Sequence, residues 1–73
     1  MPNLTAKEKR YGATAIHVNP DWIFEPDDEE QIVVIDYVTD DGTEEAAYGY
    51  GETVKAARAD AYDEVRWNGK EVV

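Results

Sequence analysis

Between positions 31 and 51 the chain reads QIVVIDYVTDDGTEEAAYGYG, and this stretch carries its clearest alternation of apolar and polar residues. Ile32 to Val38 is a run of β-branched and aromatic side chains broken only by Asp36. Such side chains favour a pleated, half-buried backbone, and so short a run is of strand length rather than helix length. Asp41-Gly42 follows, flanked by Asp40 and Thr43. Asp-Gly between apolar runs signals a hairpin, because Gly accepts the positive φ of the primed turns. Glu44 to Tyr50 is then the returning strand. A two-residue loop at Asp41-Gly42 would set Tyr37 opposite Ala46, Ile35 opposite Tyr48 and Val33 opposite Tyr50. It would leave Ile32, Val34, Asp36 and Val38 beside Glu45, Ala47 and Gly49 on the second face. A three-residue loop with a bulge would move the register by one and exchange these partners. The two-residue loop separates the faces better and is the expectation carried forward.

The remaining pattern is simpler. Ala13 to Val18, ATAIHV, alternates weakly and reads as a first strand. Asn19-Pro20-Asp21 reads as a turn or a capped helical start. Trp22-Ile23-Phe24 is an apolar cluster that Pro26 stops, and both aromatic rings are large for so small a core. After the hairpin, Thr53 is a good N-cap for the segment VKAARADAYDEVRW. There Val54, Ala57, Ala61 and Val65 fall on one stripe at helical spacing, flanked by Arg58 and Tyr62. A stripe this rich in alanine lets a helix lie close to a sheet. Asn68-Gly69 ends the helix, and Lys70 to Val73 is a tail or short edge strand. Met1 to Arg10 is expected to be a flexible arm or short helix. The expected architecture is α+β: one small domain spanning 1–73, a three-stranded antiparallel sheet with its central hairpin at about 31–50, and a C-terminal helix at about 54–67 on one face. Ile32, Val34 and Val38 would then need a cover on the other face. The Trp22 cluster, the N-terminal arm or a second copy would provide it, so a homodimer is one expectation.

Composition narrows the chemistry. With 73 residues and no cysteine, the chain has no disulfide or thiolate metal site, and a single histidine argues against structural zinc. No apolar run is long enough to span a bilayer, and the N-terminus lacks a signal-peptide core, so a cytoplasmic location is expected. Seventeen acids against seven bases give a net charge of −10. The distribution is sharper than the total. From Tyr11 to Val54 there is no Lys or Arg, whereas twelve acids fall in those 44 residues. Such a field repels nucleic acid and anionic membrane and steers basic surfaces inward.

Asp36, inside an apolar strand, is read as pointing to the less covered face. His17 lacks any nucleophile partner and is read as a surface histidine. Neither the Asp27 to Glu30 run nor the group Asp40, Asp41, Glu44 and Glu45 has the spacing of a calcium loop. Tyr37, Tyr48 and Tyr50 are read as core rather than as a stacking platform, because no basic groove accompanies them. No acid–base–nucleophile set can be assembled, so no catalytic, cofactor-binding or metal-ligating residue is expected.

The run Tyr48-Gly49-Tyr50-Gly51-Glu52-Thr53, leading from a hairpin into an alanine-rich helix, resembles the C-terminal half of HicB-type antitoxins over about Gln31 to Trp67. The same strand–strand–helix order is similar to double-stranded-RNA-binding domains and to the arm-binding domains of phage integrases. Those use Lys and Arg near the helix start, where this chain offers only Lys55. The expectation is therefore a non-enzymatic acidic interaction module with no direct nucleic-acid or membrane contact. Its expected partner is a protein with a basic, nucleic-acid-binding surface, which it would occupy by phosphate mimicry, as a phage- or plasmid-type inhibitor would. The residues expected to carry this are Asp27, Asp28, Glu29, Glu30, Asp40, Asp41, Glu44 and Glu45, with Trp22 as an apolar anchor. The alternatives are an antitoxin-like module that neutralises a partner protein, or a small domain from a salt-adapted host.

Overall fold

The computed structural model describes residues 3–22 and 30–71. Its elements, in chain order, are α1 (Ala6–Arg10), β1 (Ala13–Val18), β2 (Gln31–Val38), β3 (Glu44–Gly51) and α2 (Val54–Asn68). The strands form an antiparallel sheet in the order β1-β2-β3, and α2 packs against β3 and β2. The expected α+β architecture is thus the observed one. Ile23, Phe24, Pro26, Asp27, Asp28 and Glu29 lie outside the described residues.

Of the two expectations for the N-terminal segment, residues 3–10 show the short helix. Thr5 caps α1 by accepting from the Glu8 N–H, and the Glu8 carboxylate accepts from the Thr5 N–H at 2.7 Å, which makes a capping box. The same carboxylate takes a two-pronged contact from Arg58 on α2, Nε to Oε2 at 2.8 Å and Nη2 to Oε1 at 2.7 Å. Arg58 also donates to the Asn3 carbonyl. One buried glutamate therefore closes α1 upon itself and fastens it to α2.

The hairpin register differs by one residue from the expectation. Val33 pairs with Gly49, Ile35 with Ala47 and Tyr37 with Glu45. The Thr39 N–H donates to the Thr43 carbonyl at 2.9 Å, and the Gly42 N–H to the Thr39 carbonyl at 3.0 Å. Gly42 has φ of 85°. This is a three-residue loop, a type I turn closed by a glycine in the left-handed region, in place of the two-residue turn. Its side-chain reinforcement is local: the Asp41 carboxylate accepts from the Thr39 hydroxyl and from the Thr43 N–H.

The reason for this register lies under α2. Ala57, Ala61 and Val65 are fully buried against Val33, Ile35, Tyr37 and Ala47. A Cβ placed on Gly49 would sit 2.0 Å from the Ala57 carbonyl oxygen and 2.4 Å from the Ala61 nitrogen. The helix backbone rests on the β3 backbone, so the helix-facing positions of β3 must be small. Ala47 and Gly49 satisfy this, and Tyr48 and Tyr50 must face the other way. Val54, expected in the buried stripe, is exposed in the first turn of α2, whereas Arg58 and Tyr62 flank the stripe half-buried as expected. On β1 the pairing shifts between Ala13 and Ala15, after which Ile16 and Val18 join the core side opposite Ile35 and Val33.

Candidate interaction face

The face of the sheet away from α2 is set by this register. Val34 sits between His17 of β1 and Tyr48 of β3, and Ile32 lies beside Tyr50. Ile32 and Val34 are buried and Val38 half-buried, so the aliphatic residues expected to need a cover are shielded within the chain. What reaches solvent is aromatic. Tyr48 and Tyr50 are 43% and 42% exposed and Trp22 is 58% exposed, while Tyr37 alone of the three hairpin tyrosines is core. The alternation of small and large residues in Ala47-Tyr48-Gly49-Tyr50-Gly51 was the signal that could have placed them.

His17 and Asp36 come together on this face. His17 Nε2 and Asp36 Oδ2 are 3.0 Å apart, and the imidazole meets the Trp22 ring edge-on at 4.9 Å between centroids. Asp36 thus points to the outer face, as expected, but with a partner that sequence reasoning had not given it. A carboxylate-oriented imidazole can hold or pass a proton, yet the chain has no serine or cysteine to receive its help.

Those predicted acidic residues that are described do not form one group. Glu30 precedes β2, and Asp40 follows its far end, roughly 27 Å away along an eight-residue strand. Trp22 lies at the Glu30 end. At the hairpin end, Asp40 accepts from the Glu71 N–H at 2.7 Å. The hydrogen bonds from Thr39 and Thr43 hold the Asp41 carboxyl down at about 2. Both aspartates are therefore engaged at the turn, Asp41 within it and Asp40 with the chain beyond α2. Glu44 and Glu45 are exposed and, with Asp36, Thr14, Tyr37 and Ala46, line a cleft of about 400 Å³. Burial pushes the Tyr37 phenol up, and the negative charges of Glu64 and Glu45 push it further.

Among the described residues no Lys or Arg forms an ion pair with Asp40, Asp41, Glu44 or Glu45. Among the described residues the ion pairs are Arg58–Glu8 and His17–Asp36. Lys7, Lys9 and Arg10 lie on α1, Lys55, Arg58 and Arg66 on α2, and Lys70 just beyond it. The helical layer carries every Lys and Arg, and the sheet carries none. Among the described residues no group of three or more His, Asp or Glu side chains could hold a metal ion, and no helix is long and apolar enough to cross a membrane. No family model, curated protein or solved structure matches the chain.

Proposed function

We propose that this is a non-enzymatic interaction module that binds a partner protein carrying a basic, nucleic-acid-binding surface. The observation that carries the reading is the outer sheet face: exposed Tyr48 and Tyr50, with Trp22 against His17, stand on a sheet without Lys or Arg; Glu44 lies on that face, Glu45 beside it on the α2 side of β3, and neither is in an ion pair among the described residues. Carboxylates attract a cationic surface at long range and speed its arrival. Desolvated aromatic anchors then hold it, since charge at a rim adds on-rate more than affinity. Carboxylates spaced along a compact scaffold take the place of phosphates in the partner's groove.

The test is capture of basic proteins from a host lysate on the immobilised chain, followed by release with duplex DNA. The retained protein is expected to leave the chain as DNA is added and to be lost when Glu44→Lys and Glu45→Lys are introduced together. These two positions are chosen because, unlike Asp40 and Asp41, neither side chain is engaged at the turn. Retention that ignores both DNA and the charge reversal would refute the reading.

A further inference from the structure

β3 is an edge strand whose outward main-chain groups have a definite phase. The Thr39–Thr43 hydrogen bond at 2.9 Å continues the β2–β3 ladder through odd-numbered residues. Even-numbered residues of β2 bond toward β1 instead: the Asn19 N–H donates to the Ile32 carbonyl at 2.8 Å, and the Val38 N–H to the Gly12 carbonyl at 3.0 Å. In an antiparallel strand both main-chain groups of a residue point the same way and alternate along the chain. Glu44, Ala46, Tyr48 and Tyr50 therefore direct N–H and C=O away from the sheet. Tyr50 shows this directly, because its N–H donates to the Asp60 carboxylate at 3.0 Å. Among the described residues the Ala46 and Tyr48 N–H groups meet no acceptor.

Proteins usually blunt such an edge with Lys, Pro, a bulge or a covering element. β3 has no Lys or Pro, and its register with β2 runs unbroken from Glu44 to Gly51. We infer that the β3 edge receives an extended, basic segment of the partner as a fourth strand, bonded to the Ala46 and Tyr48 main chain, with its outer-face side chains beside Tyr48 and Tyr50. This rests on the basic-partner reading above and adds the mode of docking. The charge around the edge selects the occupant. Glu44 and Glu45 stand at one end and Glu52 and Asp60 toward the other. Tyrosine faces accept the stems and heads of Lys and Arg. A second copy pairing edge to edge would set these acids against their own kind, which opposes it. Main-chain bonds supply affinity in such strand addition, and alternate side chains supply selectivity.

The probe is an alternating lysine–valine peptide, followed by amide NMR and hydrogen exchange on the intact chain at low ionic strength. At saturation the Ala46 and Tyr48 amides are expected to gain protection of about tenfold or more. A peptide of equal charge with prolines at alternate positions should bind about tenfold more weakly, as should the variant Ala46→Pro. Ala46→Pro removes only an outward N–H, and if it fails to fold, the two peptides against the native chain decide the matter. Equal binding of both peptides, with shifts centred on Glu44 and Glu45, would overturn strand addition and leave the basic-partner reading standing. Failure of both peptides to bind, or equal binding of a glutamate–valine peptide, would overturn both. Protection of Ala46 and Tyr48 through self-association without peptide would make a second copy the occupant and overturn the inference.

Discussion

Glu8 shows how much one side chain can do in a chain of 73 residues. Glu8 is 3% exposed, and its carboxylate satisfies Thr5 and Arg58 at once. Burial alone would raise its pKa, but the hydrogen bonds and charge of Arg58, with those of Thr5, outweigh burial and leave it lowered. A carboxyl depressed in the folded state binds fewer protons than in the unfolded chain, so its stabilisation is present above the ordinary glutamate range. That stabilisation is lost as pH falls through the lowered value. Thermal melts from pH 6 down to about 2 should show a loss of stability that Glu8→Gln flattens. Removing the partner is worse than removing the charge, because it leaves a buried carboxylate alone. Arg58→Ala is expected to cost about 3 kcal/mol by chemical denaturation. Arg58→Lys should recover only part of this, since an ammonium cannot match the two-pronged contact.

At the scale of elements, the close crossing of α2 over β3 decides which residues face solvent. Gly49→Ala would drive a methyl group into the Ala57 carbonyl and the Ala61 nitrogen, both helix backbone. The helix must move, and a loss of about 3 kcal/mol is expected. Gly42→Ala meets nothing within 4 Å and suffers only its φ of 85°, at about 1 kcal/mol. Denaturant midpoints for the two variants should therefore fall in that order, and the reverse order would place the strain in the turn. The element types and their order were legible in the sequence because β-branched runs, an Asp-Gly turn, a Thr cap and an alanine stripe act locally. The register was not, because two turn types fit TDDGT and the choice is made by a contact between Gly49 and α2, eight or more residues away. Tyr48 and Tyr50 consequently changed faces, and the candidate site changed with them. The Glu8–Arg58 tie spans fifty residues, and no periodicity announces it. His17 and Asp36 meet only because the β1–β2 pairing sets them diagonally on one face, two rungs apart.

The whole molecule is electrically two-layered, with all seven bases on or next to the helices and a sheet that has none. Such a chain repels itself, and salt should relieve this. The Debye length falls from about 30 Å at 0.01 M to about 8 Å at 0.15 M, already shorter than the sheet is long. The melting temperature should accordingly rise by about 5 °C over that range, equivalent to roughly 1 kcal/mol in a domain of this size, and then level off. The complex with a basic partner must respond with the opposite sign, weakening over the same range because its attraction is screened too. Calorimetry on the free chain and titration of the complex, in matched buffers, separate the acid's two roles. Screening accounts for both trends with one length scale. A chain that continued to gain stability into molar salt would owe its acidity to the solvent of its host, and the carboxylates at the sheet's edge would then need no partner.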